Sequence, residues 1–205
     1  MSMTTTPLPP LPPPPPPAPT IPHPTRPNVA SEGPPGALQL ELLIHNGYPF
    51  KDHWAFRVRS HENNDVGVVF HANGDVRNGF IFEIKRNFDF RRDLPIPSQS
   101  IPLQWIDKEN FDEGPMFAGD IGVASFDYEP LATSAFEVSL YKVNPPGKSL
   151  NSVSSSDTPV KKFAQQRDCQ TWIVESADQL VKDGVKSKMF VFHVEPQHNR
   201  IDLSH

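Results

Sequence analysis

The chain has 205 residues, 25 of them proline and one cysteine, with a net charge of −5 and a sequence pI near 5.9. An acidic chain without a basic stripe is not expected to bind nucleic acid, because phosphate-backbone recognition needs clustered cations. One cysteine excludes an internal disulfide, and no apolar run approaches the ~18 residues that span a bilayer. No secretory pattern opens the chain, so a reducing, cytoplasmic setting in which a free thiol survives is expected.

Residues 1–36 contain fifteen of the prolines and read as a disordered proline-rich arm. The run Pro12–Pro17 has no backbone donors and fixed φ, which dictates an extended polyproline II segment. Two readings of this arm are open: a low-complexity extension without a partner, or a docking segment for an aromatic groove of the profilin, WW or Src-homology type, through Leu8-Pro9-Pro10-Leu11-Pro12. Residues 37–205 are long enough to bury a core and form the expected folded domain.

Strand patterns follow. Leu38–Ile44 is the first, ended by Asn46-Gly47. Trp54–Val58 and Val66–His71, separated by a polar loop over Ser60–Asn64, read as a hairpin, and Gly79–Lys85 alternates as a further strand after a turn at Asn73-Gly74-Asp75. The proline-dotted stretch Asp93–Pro130 reads as irregular chain around one or two short strands such as Leu103–Ile106. Phe136–Val143 reads as another strand, and Met189–Val194 as a short closing one. Arg86, Arg91 and Arg92 form a small basic cluster of the kind usually found on a solvated face; Lys85-Arg86 is expected to keep a strand edge soluble.

The clearest helix covers Cys169–Asp183. Cys169, Trp172, Ile173, Ala177, Leu180 and Val181 share one apolar stripe, Asp168 is placed to cap the start, and Gly184 to stop the end. A second helical pattern opens at Pro159, after Asp157 and Thr158. Trp54, Trp105 and Trp172 are expected in the core. The fold class is thus α+β, an antiparallel sheet packed against a C-terminal helix that carries Cys169.

Cys169 in the first turn of a helix faces the positive end of the helix dipole and unpaired N–H groups, two features that favour a thiolate. Asp168 beside it acts in the opposite sense unless its carboxylate is engaged in capping. A hairpin centred on residue 62 pairs residues whose numbers sum to 124, which sets His53 opposite His71, Trp54 opposite Phe70 and Phe56 opposite Val68. Two imidazoles and a thiol are the parts of a nucleophile, base and orienter set. The plain alternative is an inert thiol packed under the sheet.

His53-Trp54-Ala55 on one strand, Val69-Phe70-His71 on the next and Asp168-Cys169-Gln170-Thr171-Trp172 at a later helix start resemble the circularly permuted papain-like superfamily, which includes lecithin retinol acyltransferase-like enzymes and PPPDE peptidases. The motifs are also similar to those of uncharacterised fungal proteins with a His-Trp strand and a Cys-Gln-x-Trp helix. The resemblance covers residues 38–184 and implies a permuted papain-like fold with Cys169 as nucleophile, His53 as general base and His71 as the polar third member. It departs from the lipid-acting branch, which has asparagine before the cysteine and histidine two residues after it, where this chain has Asp168 and Thr171.

Two functions are therefore expected alternatives: a cysteine-dependent hydrolase or acyltransferase acting on an amide, ester or thioester carbonyl, or a catalytically silent papain-like interaction module whose working part is the proline-rich arm. A metal site of His53, His71 and Cys169 lacks the close ligand spacing of zinc motifs, and no cofactor is expected. Gln165, Gln166 and Gln170 offer either oxyanion donors or polar helix surface. His45, His61 and His193 read as structural or solvated.

Overall fold

Leu38–His45 (β1) places Leu38, Leu40 and Leu42 on one side and Leu43 on the other, and all four are buried because both faces of the sheet are covered at this strand. In a computed structural model, which describes residues 27–60, 63–117, 125–127, 134–149 and 167–185, β1 is followed by His53–Arg59 (β2), Val66–Asp75 (β3), Gly79–Asp89 (β4), Gln99–Ile106 (β5) and Ser125–Asp127 (β6). The sheet order is β5-β1-β2-β3-β4-β6, and every neighbouring pair is antiparallel. Helices Glu113–Met116 (α1), Ala135–Tyr141 (α2) and Cys169–Lys182 (α3) complete an α+β fold. The sequence pattern of an antiparallel sheet against a C-terminal helix is thus present.

The main core lies between the sheet and the helices. Phe56, Val58, Val68, Phe70 and Ile84 from the strands meet Phe136 and Leu140 of α2 and Trp172, Ile173, Ala177 and Leu180 of α3. Trp172 is fully enclosed and its indole N–H donates to the Val143 carbonyl at 3.0 Å, so a large apolar body is buried without orphaning its one donor. A smaller cluster, Leu43, Ala55, Val69 and Phe88 with Phe90, occupies the opposite face. There the chain leaving β4 crosses back over the strands to reach β5, and the Arg57 guanidinium lies 4.0 Å from the Phe90 ring centre.

Several expectations are corrected. Phe136–Val143 is a helix followed by a short turn, not a strand: Ser134 caps it, its hydroxyl accepting from the Glu137 N–H, and Phe136 and Leu140 fall one turn apart on its buried side. The turn expected at Asn73–Asp75 lies three residues later, at residues 76–78, because β3 runs on to Asp75. Asp75 accepts there from the N–H groups of Arg77 and Asn78. Arg86 is not on a solvated face, and Lys85-Arg86 is not simply a soluble edge. Arg86 is buried and grips the fully buried Glu137 with two hydrogen bonds of 2.8 and 3.3 Å, tying β4 to α2.

The root of the arm is part of the structure. Trp105 donates its indole N–H to the Ala30 carbonyl at 2.9 Å, and Gly33 sits so close to that ring that any side chain there would collide with it. The rest of the arm, the Pro159 helical pattern and the Met189–Val194 strand lie outside the described residues, as do His61, His193, Gln165 and Gln166. Among the described residues no helix is long and apolar enough to cross a membrane.

Candidate functional site

The β2–β3 hairpin pairs Phe56 with Phe70 and Val58 with Val68, so opposing numbers sum to 126 rather than 124. The centre moves by one residue and the register by two, and a two-residue slip keeps every side chain on its expected face. His53 is therefore diagonal to His71 instead of directly opposite. The rings still meet, with His53 Nε2 2.8 Å from His71 Nδ1.

Two residues missing from the expected set extend this contact into a row. Glu83 of β4 stands directly opposite His71, and its Oε2 lies 2.7 Å from His71 Nε2, a close approach that is off the line of an ideal hydrogen bond. His45, read from sequence as structural or solvated, stands opposite His53 at a ring separation of 6.0 Å. Four successive strands thus contribute His45, His53, His71 and Glu83 to one strip of the sheet.

The row sets its own proton positions. A proton on His71 Nε2, directed at the Glu83 carboxyl oxygen, leaves His71 Nδ1 bare to accept from His53 Nε2–H. His53 Nδ1 is then the ring atom with a free lone pair. Burial is the largest influence on His53 and, with the neighbouring His71, pulls its pKa down to about 3. Burial likewise lowers His71, against the pull of Glu83, and lowers His45. All three shifts keep the rings neutral at pH 7, and in the resting site His53 is a weak proton acceptor for a thiol whose own pKa is raised.

Cys169 reaches the same strand end from the other layer. The β2–β3 ladder stops at Phe56 and Phe70, so the first residues of β2 have no β3 partner, and the first turn of α3 docks there. Gln170 donates its side-chain amide to the Asp52 carbonyl at 2.9 Å, so it neither remains polar helix surface nor stands free as an oxyanion donor. Lys51 pairs with Asp168 at 3.0 Å, and Cys169 Sγ lies 3.9 Å from the Asp52 carbonyl, its hydrogen-bond acceptor. The thiol is 7% exposed and belongs to the core cluster on the α3 side, whereas strand alternation assigns His53 and His71 to the opposite face. The segment Asp52–Trp54 separates the two, touching the sulfur and carrying the His53 ring.

Burial pushes the Cys169 thiol pKa up, and the Asp168 charge adds to this, while hydrogen bonds from the backbone N–H groups of Trp54, Gln170 and Cys169 itself act in the opposite sense. The resting group is a neutral thiol whose proton is directed at the Asp52 carbonyl. Asp168 is committed to capping: its carboxylate accepts from the Thr171 N–H at 3.0 Å while the Thr171 hydroxyl accepts from the Asp168 N–H at 3.3 Å. Asp168→Ala removes this reciprocal cap and the Lys51 pair, and a loss of about 1–2 kcal/mol in urea unfolding is expected; an unchanged midpoint would show that the helix start is held by packing alone.

Residues 40–186 match a family described as a family of unknown function, DUF6540. The chain belongs to the DUF6540 family. The match takes in all but the first two residues of β1, the histidine row and α3, so the candidate site lies wholly inside the DUF6540 region. No curated protein and no solved structure matches the chain.

Proposed function

We propose that this DUF6540 domain is a cysteine-dependent hydrolase or acyltransferase of circularly permuted papain-like type, acting on an amide, ester or thioester carbonyl. The observation that supports it is the hydrogen-bonded pair His53–His71, backed by buried Glu83, which leaves His53 Nδ1 as a neutral acceptor on the strand end that Cys169 touches. In this reading the Asp52–Trp54 segment, which separates the resting thiol from the His53 ring, shifts as substrate binds, so that the thiol gives its proton to His53 as the sulfur attacks the carbonyl and His53 returns it to the leaving group. His71 and Glu83 hold the tautomer.

A second reading, a catalytically silent module, is favoured by one observation: the sulfur is buried, its pKa is raised, and its proton is directed at a carbonyl. Incubation with p-nitrophenyl acetate separates the two. Intact-mass spectrometry should find one acetyl adduct on the native chain, none on Cys169→Ser, and formation slowed by roughly a hundredfold or more in His53→Ala. Equal acetylation of the native chain and Cys169→Ser would leave the silent module as the function.

A further inference from the structure

The most exposed large apolar side chains of the described residues are concentrated near one end of the sheet. Tyr48 and Phe50 (89% and 83% exposed) lie on the loop that joins His45 to His53, and Leu94 and Ile96 (76% and 63%) on the segment that crosses the face opposite the described helices toward that end. The two loops are adjacent, since Ser98 donates its N–H to the Ile44 carbonyl at 2.8 Å and the Ile96 backbone reaches His45. An exposed aromatic pair beside aliphatic residues is the kind of ledge on which polyproline helices dock. The chain carries such a helix-forming run of its own.

We propose that the ledge of Tyr48, Phe50, Leu94 and Ile96 is the docking site for the Leu8–Pro17 segment of this same chain. Where the arm enters the fold supports this occupant. Its root lies against Trp105, which pairs with Gln39 on β1, and the indole contacts it as aromatic grooves contact polyproline, with ring packing on a small residue and an N–H donated to a backbone carbonyl. From Gln39 to His45 is six strand residues, about 20 Å. Residues 18–26, the link between the root and Pro17, span up to about 28 Å at ~3.1 Å per residue as polyproline II. Tethering also gives the arm a high effective concentration that a free partner of modest affinity cannot match. A docked arm rests beside His45, at the end of the histidine row.

Fluorine NMR of the full chain labelled with 3-fluorotyrosine tests this, the Tyr48 resonance being identified by its loss in Tyr48→Phe. Replacing Leu8–Pro17 by glycine and serine in the full chain should shift the Tyr48 resonance. A synthetic peptide of residues 7–18 added to that variant should restore the native position, and Phe50→Ser should weaken the peptide at least tenfold. An unchanged Tyr48 resonance on replacement of the arm, or a peptide that leaves it unmoved, overturns the proposal. A shift that grows with protein concentration also overturns it, in favour of contact between two copies.

Discussion

Glu137→Ala should destabilise the domain by about 3–5 kcal/mol, the loss expected when one partner of a buried ion pair is removed and the other charge is left enclosed. Arg86 and Glu137 are both buried, joined by two hydrogen bonds, and they fasten the strand next to the histidine row to the helix that packs beside α3. For a domain of this size such a loss lowers Tm by roughly 6–20 °C. The double variant Arg86→Met with Glu137→Leu should recover most of it, since two apolar side chains remove the desolvation cost that the single change exposes. A loss below about 1 kcal/mol for Glu137→Ala would mean that water reaches the guanidinium and that the pair is not a structural joint.

Acidification should weaken the fold well before ordinary carboxylates titrate. His53 has a folded pKa near 3, below its unfolded value of 6.5, and His71 and His45 are displaced in the same direction. Between those limits the unfolded chain binds protons that the folded chain refuses. Stability is therefore fully present above about pH 6.5 and falls as pH drops toward 3. The slope is at most about 1.4 kcal/mol per pH unit for each histidine, and less for His53, part of which faces solvent. Urea unfolding between pH 7 and 4.5 measures it directly. His53→Phe should flatten the slope; a native profile that is flat over this window would show that the rings are not held neutral.

The strands were legible because alternation is a local signal, and α3 because cap, stripe and glycine stop coincide at Asp168, Cys169–Val181 and Gly184. Gly184 has φ of +75°, the left-handed conformation that glycine supplies at a helix end. Register was less legible. A period of two cannot distinguish a hairpin centred on 62 from one centred on 63, so the pattern gave the shared face of His53 and His71 but not their diagonal relation.

Glu83 was missed for a related reason. With the turn placed at residues 76–78, centred on 77, His71 and Glu83 become partners at once; with the turn at 73–75 they do not. The Asp75-x-x-Asn78 spacing, in which Asp75 accepts from both Asn78 groups, was the available signal. The helix α2 was misread because Phe136-Glu137-Val138-Ser139-Leu140 has strand-like composition, and what makes it helical is tertiary: Glu137 is buried against an arginine 51 residues earlier. The Ser134-x-x-Glu137 spacing was its one local clue.

The most direct measurement is nitrogen-15 NMR of the imidazole rings at pH 7, with His53 and His71 assigned by single substitutions. Both rings should be neutral with the proton on Nε2, leaving Nδ1 of His53 unprotonated, and Glu83→Gln should disturb the tautomer of His71 and, through it, that of His53. A His53 ring protonated on both nitrogens at pH 7, or one carrying its proton on Nδ1, would contradict the proton order along Glu83, His71 and His53 on which the proposed base rests.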